Sequence, residues 1–222
     1  VYGCYNTSIG LYALNNDCGS HNIAQGYNAL TTNTTGSSNV GLGAYSLYGN
    51  TTGNDNFAVG YCALHGQYGC NNYGSNNTAI GFEALKVNTA SSNTAAGYRA
   101  LIANTSGTEN TAVGSNALQA NSLGNYNTAL GSNALYSNTA SNNTAIGFSA
   151  AYTNSTGTNN TAFGYNTLYL NSTGSNNTAV GNNALYNNTA SDNTAIGYNA
   201  MQANTSGINN VAVGTSALGS NQ

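Results

Sequence analysis

The sequence predicts an all-β chain, a parallel β-solenoid of about 13 coils of 16–17 residues each. Three observations lead there. One short motif recurs from end to end, as in Asn127-Thr128-Ala129-Leu130-Gly131-Ser132-Asn133-Ala134-Leu135 and Asn177-Thr178-Ala179-Val180-Gly181-Asn182-Asn183-Ala184-Leu185. Its central glycines, Gly10, Gly26, Gly43, Gly60, Gly81, Gly97, Gly114, Gly131, Gly147, Gly164, Gly181, Gly197 and Gly214, are spaced by 16 or 17 residues with one interval of 21. A fixed short period marks stacked like units, each too small to bury a core alone. Segments such as Thr-Ala-Ile-Gly alternate small and large side chains, as a short strand does. The chain has no proline, so every backbone N–H remains available to a strand ladder. Residues 1–222 read as a single repeat domain, with no helix expected.

Each coil opens on Asn, four residues before its glycine: Asn6, Asn22, Asn39, Asn56, Asn77, Asn93, Asn110, Asn127, Asn143, Asn160, Asn177, Asn193 and Asn210. Stacked strands sit about 4.8 Å apart, a spacing at which each amide side chain can donate to one neighbour and accept from the other. These residues are the expected Asn ladder. A second Asn column follows seven residues after the glycine, with Asp17 and Gln67 as its two departures. Asn also suits corners, because it tolerates left-handed backbone and caps its own turn.

The strand comes next. Two residues before the glycine the side chain is Ala in every unit but two, where Ser8 and Gly41 stand. One residue before it comes a larger apolar group, including Ile80, Val113, Leu130, Ile146, Val180 and Ile196. Adjacent strand residues face opposite ways. The narrow coil interior fits Ala and Gly, so the Ile/Val column points outward and forms a candidate assembly face. A long apolar stripe on a lone soluble chain is an association site. After the glycine, an Ala-Leu pair such as Ala117-Leu118 adds a second apolar stretch.

The connectors have a longer form, as in Asn104-Thr105-Ser106-Gly107, and a shorter one, as in Asn138-Thr139-Ala140-Ser141. The short form recurs every third coil, a super-period of 50 residues consistent with duplication of a three-coil block. Between Gly60 and Gly81 about five extra residues enter, an insertion loop at about 65–75. Such loops often map to one face of a repeat protein.

The four cysteines match no zinc spacing, and their even number in a charge-poor chain favours disulfides and an oxidising location. The expected pairs are Cys4 with Cys18, across neighbouring coils, and Cys62 with Cys70, across the insertion, with cross-chain pairs or free thiols as the alternatives. Among many Asn-x-Ser/Thr sequons, Asn104, Asn154, Asn171 and Asn204 fall in connectors and are the candidate glycan acceptors.

Catalytic chemistry is not visible. His21 and His65 stand apart, no carboxylate pair repeats, and no Lys follows the glycines as a phosphate loop requires. No catalytic residue, metal or cofactor is expected, and the chain is read as a non-enzyme. Charged residues are 3% of the chain, against roughly 25% in ordinary domains. No basic stripe exists, so no nucleic-acid partner is expected. No apolar run approaches about 18 residues, so no helical membrane insertion is expected in this segment. The chain begins at Val1 and is read as a processed product or a stretch of a longer fibre.

The run Asn193-Thr194-Ala195-Ile196-Gly197-Tyr198-Asn199-Ala200 resembles the repeats of trimeric autotransporter adhesin heads. It is similar also to the repeats of phage tail-fibre-like and bacterial surface fibre proteins. The resemblance covers essentially the whole chain. It implies a left-handed parallel β-roll, three chains side by side, with the Ile/Val column at the shared axis. The coils here are longer than in adhesin heads, and the cysteines are a departure. The expected function is a structural extracellular fibre, on a cell or virion surface, whose partner is itself as a homotrimer or filament. One alternative is an adhesin that binds surface glycans or a receptor through Tyr136, Tyr152, Tyr169 and Tyr186. A minor alternative is an ice-binding solenoid that uses the Thr column beside the Ile/Val column.

Overall fold

The structure, a computed structural model, describes residues 3–66 and 74–220. The chain divides into two compact units, residues 1–110 and 111–222. Each is a parallel β-solenoid of three-residue strands. The first holds β1 (Thr7–Ile9), β2 (Ile23–Gln25), β3 (Val40–Leu42), β4 (Phe57–Val59), β5 (Thr78–Ile80) and β6 (Thr94–Ala96). The second holds β7 (Thr111–Val113), β8 (Thr128–Leu130), β9 (Thr144–Ile146), β10 (Thr161–Phe163), β11 (Thr178–Val180), β12 (Thr194–Ile196) and β13 (Val211–Val213). Within each unit every strand pairs in parallel with the next in sequence. The register never slips: Ala79 pairs with Ala95, and Ala145 with Ala162. Like positions therefore stack on like positions. No helix occurs among the described residues.

The parity expected from sequence holds. The Ala column inside the strands is buried, as are the Ala and Leu that follow the glycine, among them Ala79, Ala84, Leu85, Ala145, Ala150 and Leu185. The two outer columns of each strand face solvent. The core is thus a thin stack of methyl and isobutyl groups, one Ala-Ala-Leu layer per coil.

Only three residues per coil are strand, yet backbone pairing continues around the turn. Leu135 N–H donates to Ala150 O (2.9 Å), Ser149 N–H to Ser132 O (2.9 Å) and Ser137 N–H to Tyr152 O (3.0 Å). This requires left-handed backbone at fixed places. The buried Leu column lies at positive φ throughout, for example +51° at Leu135 and Leu185. Leu disfavours that region by about 1–2 kcal/mol, so packing and hydrogen bonding override local preference here. The central glycines lie at φ +124° to +145°. At Gly147 an added Cβ would meet the Gly164 carbonyl oxygen at 2.3 Å. Both the conformation and the close approach of the next coil demand glycine.

The insertion expected at 65–75 lies largely outside the described residues. Its flanks, His65, Gly66 and Gly74, are buried.

Candidate functional site

Among the described residues the side chains that could act are arranged as columns. The Asn column before the strand is buried from Asn22 through Asn193, and Asn6 and Asn210 are half-buried. Its bonding differs from a simple amide-to-amide ladder. The backbone N–H of each Asn donates to Oδ1 of the preceding Asn, as Asn39 to Asn22 (2.9 Å), Asn143 to Asn127 (3.0 Å) and Asn177 to Asn160 (3.0 Å). Its Nδ2 reaches forward to a loop carbonyl of the next coil, as Asn39 to Gly53 O and Asn143 to Gly157 O (both 2.8 Å).

The second Asn column is the amide-to-amide one. Asn50 Nδ2 donates to Asn33 Oδ1, Asn154 to Asn138, Asn171 to Asn154 and Asn204 to Asn188, each at 2.8 Å. Every one of these amides points toward the preceding coil. At the start of the column Asp17 receives Asn33 Nδ2 (2.6 Å), and it also accepts from Asn6 Nδ2 (2.7 Å). The two columns converge on one carbonyl per coil. Gly174 O accepts from both Asn160 and Asn171 Nδ2 (2.8 Å each), and Ala140 O from Asn127 and Asn138 (2.8 Å each). Sequence alone marks both columns, and only the coordinates reveal this clamp, because the carbonyl belongs to Gly or Ala and carries no side-chain signal.

Asn104, Asn154, Asn171 and Asn204, expected as glycan acceptors, belong to this second column and are 0% exposed. Their amide nitrogens are held by the clamp, so the expectation is corrected. A glycan acceptor must present its nitrogen to solvent. Exposed sequon asparagines lie elsewhere, at Asn76, Asn142, Asn159 and Asn176.

Cys4 and Cys18 are both exposed, and no disulfide joins them. They are out of register: Cys4 N–H donates to Ser20 Oγ (3.2 Å) and Cys4 O accepts from His21 N–H (3.0 Å), so the next coil presents Ser20 to Cys4. Cys62 is buried with a free thiol, and burial is the main cause that raises its pKa. Cys70 lies outside the described residues.

The outer strand face carries the expected assembly residues. Ile80, Leu130 and Ile196 are 41–46% exposed, and Val113, Ile146 and Val180 are half-buried. An aromatic column borders it: Tyr61, Phe82 and Tyr98 stack at 5.4 and 5.5 Å, and Phe148 stacks on Tyr165 at 5.5 Å. None of the seven charged residues falls on the outward strand positions.

Tyr136, Tyr152, Tyr169 and Tyr186 form one stack, with centroids 4.9, 5.1 and 5.1 Å apart and planes within 11°. The facing sides of these half-buried rings cover one another, which leaves little ring face for stacking on a sugar. The signal for this stack was their shared place in consecutive repeats.

Three charges meet in space: Glu83 and Arg99 hold the same repeat position, two residues after Gly81 and Gly97, and Lys86 lies one turn beyond Glu83. Glu83 bonds Lys86 Nζ at 2.6 Å and Arg99 Nε at 2.9 Å. Burial pushes the Glu83 carboxyl up, but the two cations outweigh it and hold the pKa below its ordinary value. Nearby, burial lowers the His65 pKa against the opposing pull of its contact with Gly66 O. Among the described residues no cluster of His, Cys, Asp or Glu could hold a metal.

Comparison with protein-family models, curated proteins and solved structures finds no match to this chain.

Proposed function

We propose that this chain is a structural subunit of an extracellular fibre or filament that assembles with copies of itself through the outer strand face. The observation that carries the reading is the uncharged strand face whose Ile/Val/Leu column, broken at Gln25 and Ala96, repeats in register beside a mostly Thr column in both units. Burying each such side chain contributes roughly 1.5–3 kcal/mol, and the repeat multiplies that gain along the face. The resemblance to adhesin heads points to a left-handed roll and a homotrimer with the Ile/Val column at its axis; a continuous filament is the other assembly of this kind. A cell or virion surface is the setting in which such a fibre serves.

The adhesin reading through Tyr136 to Tyr186 is less favoured, because those rings pack on each other. The ice-binding reading is weakened by bulky neighbours of the Thr column such as Phe163, which break its flatness. Sedimentation and electron microscopy of the purified chain at micromolar concentration test the proposal. Trimers or filaments are expected, and a stable monomer would overturn it.

A further inference from the structure

We propose that the Tyr136–Tyr152–Tyr169–Tyr186 column is an oxidative cross-linking site, where neighbouring phenols of one chain join as dityrosine and staple successive coils. The proposal does not depend on the fibre reading. Four phenols in four successive coils lie 4.9–5.1 Å apart with nearly parallel planes, so each ring already touches its coupling partner. The rings are half-buried, which leaves an edge open to a small oxidant. The hydroxyl is kept in all four coils although Phe would pack equally well. In the bordering aromatic column Phe148 does replace Tyr, and Phe148 cannot couple with Tyr165. Residues 111–222 contain no cysteine and no tryptophan, and their one methionine, Met201, is buried. An oxidising equivalent delivered there therefore falls on tyrosine, and the phenol column is the means of forming a covalent link between coils.

The oxidant is hydrogen peroxide used by a peroxidase. Each of two phenols gives up one electron and its hydroxyl proton. The two phenoxyl radicals form a carbon–carbon bond between ring positions ortho to the oxygens, after a tilt of the rings. The hydrogens displaced from those carbons return to the oxygens as the rings regain aromaticity. Per link, one peroxide takes up two electrons and two protons and becomes two waters.

The test treats the full chain in dilute solution with peroxidase and hydrogen peroxide, then maps linked peptides by mass spectrometry after thermolysin digestion. Links Tyr136–Tyr152 and Tyr169–Tyr186, or Tyr152–Tyr169, are expected within single chains, with a yield per chain unchanged on dilution. Tyr152→Phe keeps the ring stack and should leave Tyr169–Tyr186 as the one link of the column. Tyr152→Phe with Tyr169→Phe should abolish links in the column while the far-ultraviolet spectrum stays unchanged. Absence of column links in the folded wild-type chain, or links that form only between chains and vanish on dilution, would overturn the proposal.

Discussion

At the scale of single residues, the fold rests on groups whose partners lie one coil away. Asn143 shows the logic. Its Nδ2 donates to Gly157 O, and its Oδ1 accepts the backbone N–H of Asn160 at 2.9 Å. In Asn143→Leu the Gly157 carbonyl keeps Asn154 as a donor (2.8 Å), but the buried Asn160 N–H loses its acceptor. A cost of about 1–3 kcal/mol for that stranded donor is expected in urea denaturation. The neighbour Asn142 is exposed at φ +63°. There Asn142→Gly should be neutral or slightly stabilising, since glycine relieves the left-handed strain. Equal losses at both positions would refute the buried ladder. Asn183, which its loop position suggests is exposed, is no substitute control: it is half-buried, with Nδ2 3.3 Å from Asn199 Oδ1. Gly147→Ala should be far worse than either. Strain at its φ of +133° costs about 1–3 kcal/mol, and the clash with Gly164 O adds to it. A melting temperature within experimental error of wild type would show that the coils can part to admit a methyl group.

At the scale of the element, three-residue strands would be too short to persist alone. They hold because turns and loops continue the inter-coil bonding. The short connectors also bring the two Asn columns within reach of each other, as Asn143 Nδ2 to Asn138 Oδ1 (3.1 Å) and Asn193 to Asn188 (3.3 Å). The turns after β5 and β6 share the Glu83–Lys86–Arg99 ion cluster, and with the buried His65 it should make the first unit sensitive to acid. The unfolded reference values are 6.5 for His65 and 4.5 for Glu83, and both folded values lie lower. His65 is neutral in both states above its reference value, and as pH falls below it the unfolded chain takes up the proton more readily, which costs stability; Glu83 adds stability that is fully present above its reference value and is lost as pH falls through the folded one. Stability should decline below about pH 6.5 from His65 and again below about 4.5 from Glu83. The Glu83 step should amount to roughly 0.5–1 kcal/mol, because Lys86 and Arg99 are partly solvent-screened. In Glu83→Gln the lower step should disappear from a series of urea midpoints against pH. Its persistence would assign the acid loss to other carboxylates.

At the scale of the whole molecule, the distribution of charge matters more than the net value of −3. The charged residues sit on turns and loops, which leaves the outer strand columns of both units uncharged. If that face is where copies meet, Ile146→Asp should split the assembly in sedimentation, since an unpaired buried carboxylate is costly. The β-sheet spectrum should be retained, because the Ala145 core beneath is untouched. Full assembly of this variant would place the contact on another surface.

Sequence by itself determined the stacking, the parity and the two Asn columns. In a register that never slips, a residue type repeated every 16 or 17 positions must meet itself, and a small residue between two larger ones must face the narrow interior. That argument uses only periodicity, and it placed Ala145 inside and Ile146 outside. Tertiary structure decided what periodicity leaves open. It put Leu135 into left-handed backbone against its local preference, because inter-coil hydrogen bonds turn the chain there. It set Ser20, two residues beyond Cys18, beside Cys4. It buried Asn104 and Asn154 by aiming their amides at a Gly carbonyl, and it laid the four tyrosine rings face to face. Each of these depends on the path of the chain between strands, and that path is fixed by backbone hydrogen bonds that leave no mark on side-chain identity.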